Sequence, residues 1–92
     1  MVVNTVRINN SVPMVGYMYN VSNLANGNNA VSVTDFPPDN SWTPTHVWCF
    51  PYDNASGAIA YADNASITQS NGTVNFNMWV STVPSSVDVL VF

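Results

Sequence analysis

Short runs of β-branched and aromatic residues, interrupted by turn residues at fairly even intervals, constrain the fold of this chain more than any other feature. Valine, threonine, tyrosine, phenylalanine and tryptophan are plentiful and favour strands, whereas alanine, leucine, lysine and glutamate, the main helix formers, are scarce or absent. The sequence therefore predicts an all-β fold, either an antiparallel β-sandwich or a jelly-roll-like barrel, with about seven or eight short strands.

The alternation of apolar and polar residues and the turns between them place the strands. Asn71-Gly72 is the best hairpin signal, because this pair readily takes the positive φ of a type I′ turn. An asparagine- and glycine-rich loop is predicted at 23–29. The predicted strands cover about 2–8, 14–20, 30–36, 45–50, 58–62, 65–69, 73–80 and 86–92. The predicted inward positions are Val31 and Val33, then Val74, Phe76, Met78 and Val80, then Val87, Val89 and Val91.

The chain length predicts a single β-sandwich domain spanning residues 1–92. A domain this small has a thin stability margin, and a single cysteine, Cys49, rules out an internal disulfide. With no metal-binding pattern, the remaining routes to stability are a well-packed core and oligomerisation. We therefore expect the chain to associate with copies of itself or with a larger assembly.

Charged residues make up only 7% of the chain, and the net charge is −4. Arg7 is the only lysine or arginine, so the chain cannot build a phosphate-binding surface and nucleic acid is not expected as a partner. Polarity comes from serine, threonine and fourteen asparagines instead. Because lysine is absent, little discourages strands from pairing edge to edge, which suits a protein that docks to its neighbours.

The sequence contains no apolar run of the ~18 residues needed to cross a membrane, so no membrane partner is expected. Its start also lacks the basic stretch and long apolar run of a signal peptide. If the chain is the primary translation product, export by that route is not expected. An extracellular-type composition without an export signal fits a virion component that is released by lysis.

Cys49 and His46 are the pair that most resembles a nucleophile with its base. Both lie in the strand predicted at 45–50, where a three-residue spacing puts the side chains on opposite faces. His46 is the only histidine, so no other base of that type exists. Cys49 lies between Trp48 and Phe50 and is interpreted as a buried small hydrophobic residue. We predict no catalytic residues and no enzymatic activity.

The aspartates are interpreted as turn residues. Asp35 and Asp39 flank a Phe-Pro-Pro run, and Asp53 and Asp63 are predicted in turns, where aspartate usually bonds to the local backbone. A calcium site made by Asp35, Asp39 and asparagine carbonyls is an alternative, although no spaced calcium loop is present. Zinc would need clustered cysteine and histidine. We predict no metal and no cofactor.

The aromatic residues are the remaining candidates for a binding surface, either as a sugar-stacking platform or as protein-binding anchors. Trp79 has the same parity as Asn75 and Asn77, which places it on the outward face of its predicted strand. The alternative is that most of these aromatic residues build a small core. The candidates are Trp42, Trp48, Trp79, Tyr17, Tyr19, Tyr52 and Tyr61.

A pattern of turns and strands within about residues 30–80 resembles a known group of proteins. It is made of Phe36-Pro37-Pro38-Asp39, Thr43-Pro44-Thr45-His46-Val47, Phe50-Pro51-Tyr52, Gly57-Ala58-Ile59-Ala60-Tyr61 and Ser70-Asn71-Gly72-Thr73-Val74. This order resembles small β-sandwich or jelly-roll domains of tailed-phage virion proteins, among them capsid decoration (cement) proteins, head fibres and tail-fibre tips. The resemblance implies a trimeric structural module and brings no catalytic residues with it.

The resemblance and the composition together predict a bacteriophage capsid decoration protein. It would be made in the host cytoplasm and would sit as a homotrimer on the outer surface of the capsid, bound to the major capsid protein or another virion protein. A fibre tip usually ends a long chain, so a 92-residue module fits decoration better. The alternative is a receptor- or glycan-binding tip module of a phage fibre. The terminal strands, about 2–8 and 87–92, are the candidates for subunit or shell contacts by edge pairing. The candidate interface residues are Trp42, Trp79, Tyr17, Tyr19, Val2 and Val3 of the first strand, and Val89 and Phe92 of the last.

Overall fold

Antiparallel strands make up most of the fold, as the residue types predict. The computed structural model describes residues 4–12, 16–34, 43–51 and 57–92, the first of these ranges by its backbone. Within them the secondary structure is entirely β, and the prediction of an all-β fold is confirmed. The strands are β1 (Asn4–Val12), β2 (Gly16–Ser22), β3 (Gly27–Val33), β4 (Val47–Pro51), β5 (Ile59–Ser70), β6 (Thr73–Ser81) and β7 (Ser86–Val91).

The strands form two sheets that share one hydrophobic core. Sheet A has the order β1-β2-β7-β4 and sheet B has the order β3-β6-β5, and every pair is antiparallel. Apolar side chains from one face of each sheet meet between them. This arrangement is consistent with a β-sandwich, in which inward apolar residues alternate with outward polar ones.

Valine side chains fill most of the space between the sheets. In β7, Val87, Val89 and Val91 are fully buried, as their alternation predicts. Burying a valine-sized side chain stabilises a fold by about 1.5–3 kcal/mol, so this layer is the main source of stability. The other predicted inward residues are buried as well. They are Val31 and Val33 in β3, and Val74, Phe76, Met78 and Val80 in β6.

The hairpin between β5 and β6 has the predicted turn. Ser70 pairs with Thr73 across it, and the two residues between them, Asn71 and Gly72, have φ values of 50° and 80°. Positive φ at both central positions is the requirement of a type I′ turn, which matches the right-handed twist of the flanking strands.

Strand β5 combines two of the predicted strands. The segments expected at 58–62 and 65–69 form one continuous strand. The described residues therefore contain fewer strands than the eight segments that the sequence predicted. Asp63 pairs with Asn77 and Thr68 with Asn75, so residues 64–67 form a bulge opposite a single residue of β6. The predicted turn at Asp63 is therefore wrong: this residue begins a bulge inside a strand.

Side-chain hydrogen bonds hold the bulge in place. The Ala65 N–H donates to Asp63 Oδ1 at 3.1 Å, so Asp63 does bond to the local backbone as expected. The Ser66 hydroxyl donates to the Asp63 carbonyl at 2.6 Å and accepts the Asn77 N–H at 2.8 Å. The bulge also reaches sheet A, because Asn64 Oδ1 accepts the Val47 N–H at 3.1 Å. This bond links the outer edge of β4 to the other sheet.

Strand β3 begins at Gly27, within the loop predicted at 23–29. The Asn29 side chain points inward and bonds to the backbone of the residues before it. Asn29 is only 5% exposed. Its amide accepts the Ala25 N–H at 2.9 Å and donates to the carbonyls of Ala25 at 2.9 Å and Gly27 at 3.1 Å. It also approaches the Met78 carbonyl at 3.4 Å. A buried polar side chain thereby replaces water for a loop that would otherwise leave backbone groups unsatisfied.

The C-terminal strand is not at the edge of its sheet. Strand β7 lies between β2 and β4 and pairs with both. The prediction that residues 87–92 bind a partner by edge pairing is therefore wrong, because both backbone edges of this strand are occupied. Strand β1 does lie at the outer edge of the described sheet A.

We expect replacement of Asn29 by alanine to lower the free energy of unfolding by about 2–3 kcal/mol, because it leaves buried loop amide and carbonyl groups without partners. Asn28→Ala is the matched control. Asn28 is the neighbouring asparagine and is exposed on the opposite face, so its loss should cost no more than about 0.5 kcal/mol. Urea unfolding of both variants measures the difference, and equal losses would contradict the assigned role of Asn29.

Candidate functional site

Among the described residues, the most exposed large apolar side chains fall into two groups on opposite sides of the molecule. On sheet A, Trp48 is 55% exposed and Phe50 is 47% exposed. On sheet B, Tyr61 is 56% exposed and Trp79 is 45% exposed, with Ile59 nearby on the same strand as Tyr61. Aromatic residues are costly to leave in water and are enriched where proteins bind partners, so these two surfaces are the candidate sites.

The first surface arises from alternation along β4. Val47 and Cys49 point toward the core, so Trp48 and Phe50 point outward. The pairing of β4 with β7 continues past both strands, since the N–H groups of His46 and Phe92 each donate to the other residue's carbonyl, at 2.9 and 3.0 Å. This pairing brings Phe92 onto the same outward face as Trp48.

Ring contacts organise this surface. The rings of His46 and Phe92 are stacked, with centroids 5.2 Å apart, and the Trp48 ring meets the Phe92 ring edge-on at 4.9 Å. Edge-to-face and offset-stacked pairs are the favoured arrangements of aromatic rings. We call His46, Trp48, Phe50 and Phe92 the β4 aromatic cluster.

The surroundings of the β4 aromatic cluster are apolar on one side and polar on the other. Leu90, which pairs with both Met18 and Trp48 across the sheet, lies on the outer face yet is only 7% exposed. Toward the other end of β7, Asp88 accepts a hydrogen bond from Asn20 Nδ2 at 2.9 Å. The outer face of sheet A thus carries an apolar stripe with a polar margin, as protein-binding surfaces do.

The second surface lies on sheet B, at the ends of β5 and β6 distant from their hairpin. Tyr61 and Trp79 are directly opposite each other on these strands, and Asn28 of β3 is opposite Trp79 on the other side. In the next outward row, Asp63 pairs with Asn77. These residues line an open depression of about 560 Å³. We call Tyr61 and Trp79 the sheet B aromatic pair.

Cys49 and His46 lie apart, as their spacing predicts. Cys49 packs against the core, with its Sγ 3.5 Å from the Met78 Sδ, whereas His46 is exposed and stacks on Phe92. Burial raises the pKa of the Cys49 thiol to about 12, against a smaller lowering effect of a hydrogen bond with the Ala62 backbone. The thiol is therefore protonated at neutral pH and is a poor nucleophile.

The structure separates the predicted interface residues. Trp79 is exposed, as predicted, and Phe92 is half-buried on the outer face of sheet A. The assignments of Tyr19 and Val89 to an interface are wrong, because both are fully buried in the shared core. Tyr17 is half-buried and packs against that core.

Several predicted residues fall outside the ranges that the structure describes. They are the interface candidates Val2, Val3 and Trp42, the aromatic candidate Tyr52, and the aspartates Asp35, Asp39 and Asp53. Within the described ranges, no three histidine, cysteine, aspartate or glutamate side chains are close enough together to hold a metal ion. Those ranges also contain no helix with the length and apolar character needed to traverse a bilayer.

Sequence reasoning did not anticipate the β4 aromatic cluster, although its signal was present. The parity of residues 46, 48 and 50 puts His46, Trp48 and Phe50 on one face of a strand. Nothing in that parity says which face is outward, because both faces of this segment carry apolar residues. The deciding facts are that Val47 and Cys49 pack against the core between the sheets and that Phe92 pairs beside β4.

Comparisons of the chain with protein-family models, with curated proteins and with solved structures find no match. The two aromatic surfaces and the composition of the chain are therefore the features from which a function can be inferred.

We expect the Cys49 thiol of the folded protein to react with iodoacetamide much more slowly than an exposed thiol at about pH 8, because the thiolate is the reacting form. The rate should keep rising with pH beyond the ordinary thiol value of 9.0 toward about 12. Rates are measured by mass spectrometry over a pH series.

An exposed thiol provides the comparison. Thr68 is exposed on β5, so Thr68→Cys in a Cys49→Ala background should be labelled at an ordinary rate, with a plateau above its lower pKa. If native Cys49 reacts as fast as this control, the packing described for the thiol is wrong.

Proposed function

We propose that this protein is a structural protein of a bacteriophage virion, a decoration (cement) protein that docks on the assembled capsid and stabilises it. The observation that carries the proposal is the β4 aromatic cluster, an exposed aromatic surface on a rigid sheet. The weak charge of the chain and the resemblance of residues 30–80 to virion modules supply the rest of the argument.

The β4 aromatic cluster has the chemistry of a protein contact. Trp48 and Phe50 each expose about half of their surface, and removing apolar surface from water contributes about 25 cal/mol per Å². Tryptophan is enriched among the residues that dominate binding energy. Because the ring contacts with Phe92 hold Trp48 in place, little side-chain entropy is lost when a partner covers it.

The weak charge of the chain suits attachment to a shell made of many identical subunits. With one arginine, no lysine and five aspartates, the protein attracts partners little through long-range electrostatics. Binding would depend on shape and on neutral hydrogen bonds, which the many asparagine, serine and threonine side chains can supply.

Stabilisation of the shell would follow from mass action. A protein that binds the assembled shell but not its free subunits lowers the free energy of the assembled state, in proportion to the logarithm of its concentration over its dissociation constant. A docked molecule that contacts two neighbouring coat subunits also holds them together directly.

Self-association into a homotrimer is part of the proposal. Strand β1 is at the edge of sheet A, so its outer backbone groups can pair with another chain. The outer edge of β4 is less suited, because Asn64 of sheet B accepts a hydrogen bond from the Val47 N–H there.

Native mass spectrometry tests the oligomer. We expect a particle of three times the chain mass of 10.0 kDa, and we expect Trp48→Ala to form the same trimer, since the β4 aromatic cluster is assigned to the shell. A protein that stays monomeric at all micromolar concentrations would contradict the trimer.

Immunogold electron microscopy tests the location on the virion. Antibodies raised against the purified chain are applied to particles purified from the source of the protein, and labelling distributed over the head is the expected result. Labelling confined to the tail tip would support the fibre-tip alternative instead. Particles without label would contradict both assignments.

Shell binding tests the contact surface. Coat-protein shells assembled without this protein are mixed with it and sedimented, and the wild-type chain should bind saturably and raise the dissociation temperature of the shells. Trp48→Ala should weaken this binding at least about tenfold, as truncation of a central anchor does. Trp79→Ala, which removes a similarly exposed tryptophan from sheet B, should bind normally. Equal effects of the two variants would show that the β4 aromatic cluster is not the contact.

A further inference from the structure

We infer that the outer face of sheet B binds a neutral saccharide, with the sheet B aromatic pair as its stacking platform. This site goes beyond the proposed docking to a shell, because it uses the sheet opposite to the β4 aromatic cluster. A protein docked by sheet A would present sheet B to the surrounding solution.

The aromatic pair lies on a paired section of sheet B. Tyr61 and Trp79 are direct partners on adjacent antiparallel strands, where the Cβ atoms of opposite residues lie about 4.5–5.5 Å apart. Their neighbours in sequence, Ala60 and Val80, face the core and fix the backbone beneath them. The aromatic side chains at these two paired positions offer apolar faces and polar edges, which match the C–H faces and hydroxyl groups of a sugar ring.

Amide and carboxylate groups border the platform. Asn28 is opposite Trp79, and Asp63 and Asn77 face each other in the next row. Asparagine amides both donate and accept hydrogen bonds, and a carboxylate accepts several, so together they can satisfy adjacent sugar hydroxyls. Asp63 uses Oδ1 for the Ala65 N–H, which orients the carboxylate and leaves it further acceptor capacity.

The bulge in β5 positions these polar groups. Ser66 bonds to both the Asp63 carbonyl and the Asn77 N–H, which fixes the two residues relative to each other. Polar groups held in this way lose little entropy on binding. A strand bulge beside a depression is also a frequent device for directing side chains at binding sites.

The size of the depression suits a short oligosaccharide. It has a volume of about 560 Å³ and is open to solvent, within the range of about 300–1,000 Å³ that is usual for small-molecule sites. Both aromatic rings and Asn28, Asp63 and Asn77 line it. A chain of sugar units can lie along the row that they form.

Charge selects a neutral sugar over an acidic one. The only lysine or arginine of the chain, Arg7, belongs to β1 of the other sheet, so sheet B offers no cation to a carboxylate, sulfate or phosphate group. Asp63 adds a negative charge at the depression. An anionic glycan would therefore be repelled where a neutral one is accepted.

The rest of this face favours a sugar over a protein partner. Beyond the aromatic pair and the exposed Ile59, its outward residues are small and mostly polar, among them Ser32, Asn75 and Thr68, all exposed. The fully buried centre of a protein interface is more apolar than this, whereas a sugar needs only a stacking surface with hydrogen-bonding groups beside it.

A glycan array tests the inference with the full chain. The array carries neutral oligosaccharides of glucose, galactose, mannose and N-acetylglucosamine, and sialylated and sulfated oligosaccharides for comparison. We expect binding to at least one neutral oligosaccharide and none to the acidic ones. Calorimetric titration with the free form of each bound oligosaccharide then gives its dissociation constant.

Substitutions assign the binding to the platform. Trp79→Ala and Tyr61→Ala should each weaken binding at least about tenfold, whereas Trp79→Phe, which keeps a stacking ring, should stay within about threefold. Trp48→Ala is the matched control and should change nothing, since Trp48 is similarly exposed on the other sheet. Circular dichroism verifies the fold of each variant, and perturbation of the Trp79 indole N–H signal by the sugar provides a test without substitution.

Four outcomes would overturn the inference. They are the absence of binding to every neutral oligosaccharide, a preference for acidic ones, binding that survives Trp79→Ala, and equal losses with Trp48→Ala. Loss of shell binding on Trp79→Ala without any sugar binding would instead identify this face as a protein interface.

Discussion

The burial of valine side chains between two sheets is the interaction on which the rest of the structure depends. Val87, Val89 and Val91 of β7 share one core with the apolar residues of β6, and all are removed from water. With a single cysteine, this domain has no internal disulfide to support it. Packing within this layer therefore decides both the pairing of the strands and the direction in which each remaining side chain points.

Asparagine side chains make structural hydrogen bonds of the kind that charged residues make in other small domains. Asn29 satisfies the loop before β3 from a buried position, and Asn64 bonds the outer edge of β4 to the other sheet. Amide groups can do this inside or near a core without the cost of burying a charge. The absence of lysine and glutamate is thus compatible with an ordered fold, and it leaves a weakly charged surface on which a few aromatic residues stand out.

The same packing distributes those aromatic residues to the two outer faces. Because side chains alternate between the two faces along a strand, Trp48 and Phe50 point outward from sheet A, and Tyr61 and Trp79 point outward from sheet B. Each sheet thereby presents one aromatic surface, and the two surfaces differ in their borders, which are apolar beside Leu90 and polar beside Asp63 and Asn77. This difference is the physical basis for assigning a protein contact to one face and a sugar to the other.

The sequence by itself determined the fold class, the inward valines, the Asn71-Gly72 turn and the outward direction of Trp79, because each follows from backbone geometry within a few residues. Only the tertiary structure decided which strands are edges, so that β7 lies in the interior of sheet A, and only it showed that Tyr19 is buried. The joining of two predicted strands into β5 and the inward turn of Asn29 likewise depend on β6. Contacts between residues far apart in the chain carry no local signal, and for that reason alternation could place a side chain on a face without telling which face another sheet would cover.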